Sequence, residues 1–192
     1  MKKIISFSIM LVLLQSCIGT GQNSKISAID QAFVKTKKAT KEVFFPIVAG
    51  IDLQGKDRQF PQAFAGKINL VAVAFMREQQ SDVDSWLPTF LQMAKQNSQI
   101  QFYELPIINE RNAFSRFTIN NGMRRGVKDE MARSRTITVY TNRDKFFSLT
   151  DTCEENITIL IIDGAGKILS RINGPATPEK IQKLRLKLQQ LN

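Results

Sequence analysis

A chain of 192 residues with 27 Lys and Arg against 17 Asp and Glu has a net charge of +10, and 43% of it is hydrophobic. That is enough apolar material for one domain with a substantial core, and the basic balance suits anionic headgroups or acidic partners. Histidine is absent and the only cysteines are Cys17 and Cys153, which removes Ser-His-Asp and Cys-His catalysis and the usual His-containing zinc sites.

At the N-terminus, Lys2 and Lys3 form a positive region and Ile4 to Leu14 an apolar one. That run is too short for a bilayer core of roughly 30 Å, which takes about 20 apolar residues as a helix, so it reads as a secretory signal. Leu14-Gln15-Ser16-Cys17 then resembles a lipobox, the processing site of bacterial lipoproteins. The resemblance implies cleavage before Cys17 and a diacylglycerol on its thiol. Residues 1–16 are therefore expected to be a signal peptide, 17–42 a lipidated tether and 43–192 the folded domain. Losing Lys2 and Lys3 with no acidic residue lowers the charge from +10 to +8. Two or three acyl chains anchor stably where one is marginal, at about 0.8 kcal/mol per buried methylene. The expected location is the cell envelope, on a membrane facing the periplasm. The outer membrane is preferred, because Ile18 stands where an acidic residue would resemble an inner-membrane retention signal. An exported lipoprotein rarely meets nucleic acid, so the charge is not read as nucleic-acid binding.

Past a polar stretch, Ile26, Ile29, Phe33 and Val34 have partial helical spacing. Val43 to Ile47 enters the domain, and Ile51 to Asp57 reads as a strand closing into a turn at Gly55. Lys67 to Phe75 is nearly continuous apolar sequence, as a strand buried on both faces requires. Ser81-Asp82 offers a cap for a helix carrying Val83, Trp86, Leu87, Phe90, Leu91 and Ala94, with a kink expected at Pro88. The strand Ile100 to Ile108 completes a βαβ unit. Asn109 is expected to cap a helix with Ala113, Phe114 and Phe117 on one side, stopped by Asn120-Asn121-Gly122. Arg135 to Thr141 alternates like a strand, and Asn156 to Asp163 is a buried one. Gly164-Ala165-Gly166 turns it into Lys167 to Ile172 as a hairpin. Pro178 opens a last helix striped by Ile181, Leu184, Leu188 and Leu191.

Strand, helix, strand, an intervening segment, hairpin and final helix resemble the α/β thioredoxin-like arrangement of a central β-sheet flanked by helices. Leu160-Ile161-Ile162-Asp163-Gly164-Ala165-Gly166-Lys167-Ile168 is similar to the strand–turn–strand of thiol-disulfide reductases and peroxiredoxins, and Phe60 to Lys67 is similar to the stretch before their first buried strand. In redox-active members the cysteines follow that strand, where a helix N-terminus favours the thiolate. Here the place holds Met76-Arg77-Glu78-Gln79-Gln80-Ser81-Asp82. The loop that in active members usually carries a cis-proline reads Cys153-Glu154-Glu155-Asn156. No catalytic residue, metal ligand or cofactor follows from the resemblance.

A narrower resemblance covers roughly residues 45–185. Phe102-Tyr103-Glu104-Leu105-Pro106, Arg116-Phe117, Gly122-Met123-Arg124 and Arg135 to Thr141 look like the mitochondrial ATP-synthase assembly factor family, whose members share the fold without redox cysteines and help build the membrane-embedded sector. This implies recognition of a membrane-protein complex subunit through Tyr103, Glu104, Arg116, Met123, Arg124, Arg135 and Tyr140. Arg125 joins them because Gly122 to Gly126 reads as a loop with two arginines, suited to a binding edge. The expected function is a membrane-tethered, non-redox binding or assembly factor. The alternative is a thiol-disulfide oxidoreductase or peroxiredoxin-like enzyme working through Cys153 and a partner thiol, although Asp151, Glu154 and Glu155 should raise that thiol's pKa.

Overall fold

In the computed structural model, which describes residues 42–191, the strands are β1 (Val48–Asp52), β2 (Asp57–Phe60), β3 (Ile68–Ala74), β4 (Ile100–Ile108), β5 (Ile137–Tyr140), β6 (Thr158–Asp163) and β7 (Ile168–Asn173). The helices are α1 (Gln80–Gln96), α2 (Ala113–Gly126), α3 (Glu130–Arg135), α4 (Arg143–Thr150) and α5 (Pro178–Gln189). The expectations for the signal peptide, for Cys17 and for an N-terminal helix fall outside the described residues. The strands form one mixed sheet in the order β2-β1-β5-β4-β3-β6-β7. Its β4-β3-β6-β7 part, parallel between β3 and β4 and antiparallel beyond, is the thioredoxin-like arrangement.

Period-two alternation along the central strands builds two cores. Leu70, Ala72 and Ala74 on β3 meet Ile159 and Ile161 on β6 and the apolar stripes of α1 and α5. Val71, Val73, Leu160 and Ile162 face the other way, onto Phe45, Phe60, Phe64 and Phe146. Phe45 sits edge-on to Phe60, Phe64 and Phe146 at centroid distances of 5.8, 5.2 and 5.7 Å. Trp86 is fully buried, stacks on Phe90 and donates its indole N–H to the Gly174 carbonyl at 3.0 Å. Asn69 is the polar residue within β3. Its Oδ1 accepts from the Gly66 N–H at 3.0 Å and its Nδ2 donates to the Gly66 carbonyl at 2.9 Å, so its burial leaves no orphan.

The turn after β1 follows its sequence. Asp52, buried, accepts from the backbone N–H groups of Gln54 and Lys56 and from the Arg58 guanidinium at 2.8 Å, and Gly55 supplies a φ of +90°. The strand itself lies earlier than expected, and β2 returns from the turn as a second strand.

Elsewhere the structure corrects the reading. The helix α2 is capped by Asn112, whose side chain accepts from the Ser115 N–H; Asn109 accepts instead from the Arg143 N–H at 3.3 Å. It does not stop at Asn120-Asn121-Gly122 but continues to Gly126, so Gly122 to Gly126 is a helix end and not a loop. Phe114 and Phe117 are 79% and 67% exposed. Arg135 ends α3 and does not begin a strand. The first long helix starts at Gln80, one residue ahead of the expected cap, and runs through Pro88.

Candidate functional site

The place where redox relatives carry thiols is built here around an amide. After β3, a 3-10 turn over Arg77–Gln79 leads into α1. Gln79 is 5% exposed. Its Oε1 accepts from the Phe75 and Met76 N–H groups at 2.8 and 3.2 Å, and its Nε2 donates to the Glu154 carbonyl at 2.7 Å. One side chain thus ties the loop after β3 to the loop before β6.

Arg143 supports the same junction. Its Nη2 lies 2.8 Å from the Glu154 carboxylate, and its guanidinium carbon sits 5.6 Å from the ring centroids of both Phe75 and Phe147. The contact with Glu154 is an ion pair outside hydrogen-bond geometry, since Nε and Nη2 are buried without a hydrogen-bond partner.

Cys153 is half-buried and, with Met76, Phe147, Thr152, Glu154 and Glu155, lines an open depression of about 470 Å³. Its hydrogen bond to the Glu155 carboxylate, then partial burial and the Glu155 charge, push the thiol above its ordinary pKa. A thiol so placed stays protonated near neutral pH, which is the poor nucleophilic form.

The residues expected to bind a partner fall into three groups. Arg116, Met123 and Tyr140 converge where α2 packs on β5. The Tyr140 hydroxyl lies 3.0 Å from Asn120 Oδ1 and 3.3 Å from the Arg116 carbonyl, Arg116 stacks 4.9 Å over the Tyr140 ring, and Thr138 Oγ1 donates to Met123 Sδ at 3.7 Å. Arg124 and Arg125 are exposed in the last turn of that helix.

Glu104 and Arg135 line a cleft of about 50 Å³ between α1 and α3. Glu104 accepts from Gln80 Nε2 at 3.2 Å and Thr136 Oγ1 at 3.3 Å, and burial, with Asp84 adding to it, holds its carboxyl above the ordinary carboxylate range. Arg135 donates to the Phe102 carbonyl at 3.1 Å and lies 4.5 Å over the Phe102 ring. Tyr103 stands apart on the opposite sheet face. Its hydroxyl accepts from the Ala65 N–H and donates to the Ala63 carbonyl, each at 3.2 Å.

Over residues 21–191 the sequence matches the family described as ATP10 protein. The chain belongs to that family. No curated protein sequence matches it. Solved structures that share the fold include yeast Sco1 with copper bound, at 11% identity and a TM-score of 0.50 over 78% of this chain and 94% of that one. BsSco, a member of the Sco family of cytochrome c oxidase assembly proteins, is 9% identical with a TM-score of 0.50, covering 77% and 94%. A protein from Aquifex aeolicus VF5 described as an electron transport protein is 14% identical with a TM-score of 0.52, covering 76% and 96%. At such identities the likeness is one of fold.

For this ATP10-family chain, sequence reasoning missed Gln79 and Arg143 as the residues that organise the junction between the loop after β3 and the loop before β6. Gln79 carries no motif. Its one signal is its place, three residues past Met76, where the 3-10 turn brings an amide back over the loop it has just left.

Proposed function

We propose that the protein is a membrane-tethered assembly factor or chaperone for a membrane-protein complex, with the membrane sector of an ATP synthase as its client. Membership of the ATP10 family supports this class of client. In this reading the thioredoxin-like domain binds and does no redox chemistry. The observation that carries it is the Gln79 amide, which fills the junction between the loop after β3 and the Cys153 loop with three hydrogen bonds. A network that joins both loops suits a fixed binding scaffold better than an exchanging disulfide. Cys17 serves as the lipid attachment point, holding the domain at the periplasmic face of an envelope membrane. Arg124 and Arg125, together with the Arg116–Met123–Tyr140 group and the Glu104–Arg135 cleft, are the recognition candidates. Photocrosslinking from positions between Arg116 and Arg143 in intact cells tests this. Capture of an ATP-synthase membrane subunit supports the reading, and capture of thiol substrates alone contradicts it.

One observation favours a second reading: Cys153 lies half-buried in an open depression beside Met76. A thiol enzyme working with a partner cysteine would reduce insulin or consume peroxide and lose that activity in Cys153→Ser.

A further inference from the structure

The helix α2 holds the domain with one side and shows the other to solvent. Arg116, Asn120 and Met123, at helical i, i+4 and i+7 spacing, meet Tyr140 and Thr138. Phe114, Phe117, Arg124 and Arg125 recur at i, i+3, i+10 and i+11 and share the outer face. Phe114 and Phe117 are 79% and 67% exposed, the most exposed aromatic side chains among the described residues. No residue of α2 is buried. From Arg111 to Lys128 the sequence holds five cations, Arg111, Arg116, Arg124, Arg125 and Lys128, and no acidic residue. Glu110 and Asp129 flank this stretch, and Asp129 is engaged in capping α3.

Two aromatic side chains at one end of a helix face and a cationic cluster at the other match the boundary between acyl chains and anionic headgroups. We propose that the outer face of α2 docks on an anionic bilayer surface, with Phe114 and Phe117 entering the headgroup region and Arg124, Arg125 and Lys128 pairing with lipid phosphates. Charge complementarity selects this occupant over a second copy of the chain, whose identical face would bring cations against cations. This deepens the membrane-tethered reading and rests on it for proximity alone. Residues 17–42 span at most about 90 Å when extended, so an anchor on Cys17 keeps the helix within reach of the membrane and a weak docking affinity suffices. Docking would commit Arg124 and Arg125 to lipid and leave the client to the other recognition candidates.

The test uses the full lipidated protein carrying Phe117→Trp, reconstituted on vesicles whose acyl chains are brominated. One set is phosphatidylcholine alone and the other contains about a third phosphatidylglycerol. Trp86 is fully buried and gives a constant background, and Leu186→Trp on α5 reports on a different helix. On anionic vesicles the indole at position 117 is expected to be quenched and blue-shifted, with the effect falling at high salt. R124E/R125E in the same background should weaken docking about 30-fold, taking roughly a factor of five for each cation at an anionic surface. An indole at 117 that stays unquenched on anionic vesicles overturns the proposal. So does quenching that neither the lipid charge nor the two reversals change. Co-flotation with phosphatidylcholine vesicles reads the anchor separately. A protein that floats there with position 117 unquenched contradicts docking and leaves the tether standing. One that fails to float there yet shows charge-dependent quenching on anionic vesicles contradicts the tether alone.

Discussion

Gln79 satisfies three backbone groups at once, two N–H groups at the end of β3 and one carbonyl before β6. Gln79→Ala leaves all three without their partner, and buried groups lose about 1–3 kcal/mol each when stranded, less where water enters. The expected loss is about 3 kcal/mol in a denaturant melt; a loss under about 0.5 kcal/mol would mean the junction is held by something else. Glu104 is a second residue whose surroundings set its behaviour. Burial raises its carboxyl, hydrogen bonds from Gln80 and Thr136 oppose that, and Asp84 adds to it. Its folded pKa lies above the unfolded one, so the stability it lends is present at low pH. That stability is lost as pH rises from the ordinary carboxylate value, about 4.3, through the raised one. Glu104→Gln cannot ionise. It should therefore gain on the wild type as pH rises above the ordinary carboxylate value, and parallel pH–stability curves would contradict this.

The elements legible in the sequence are those whose burial is written as an uninterrupted or evenly spaced pattern. β3 and β6 appear as apolar runs, α5 as Pro178 followed by a leucine stripe, and the β1 turn as Asp52 and Gly55. What stayed illegible depends on contacts distant in sequence. Asn120-Asn121-Gly122 looks like a stop, yet Asn120 accepts from the Tyr140 hydroxyl twenty residues on, and that tertiary bond holds α2 helical past its local breakers. Helices α3 and α4 are only 6 and 8 residues long and show no apolar stripe, so tertiary packing and not local pattern defines them. The candidate site was legible in part. The absence of paired thiols followed from counting cysteines, whereas the Gln79 junction required the fold. Tyr140→Phe removes the hydroxyl that reaches both Asn120 and Arg116. Hydrogen exchange in residues 113–126 is then expected to quicken about fivefold, since a net hydrogen bond is worth about 1 kcal/mol, with β3 and β6 unchanged. Unaltered exchange in α2 would show that its attachment does not depend on Tyr140.

Across the whole molecule, a thioredoxin-like sheet of the ATP10 family keeps two well-packed cores, while the corner between the loop after β3 and the loop before β6 is tied by the Gln79 hydrogen bonds. The single thiol in that corner is held protonated by Glu155. Among the described residues no helix is long and apolar enough to cross a membrane. If the domain acts by binding, its sulfur is dispensable and its surface is not. The decisive measurement is the amount of assembled ATP synthase, resolved on native gels, in a deletion strain complemented with wild-type protein or with Cys153→Ser. The expected result is a shortage of the assembled complex in the deletion strain that both forms restore equally. A Cys153→Ser protein that is present at the wild-type level yet leaves the complex unassembled would contradict the non-redox account.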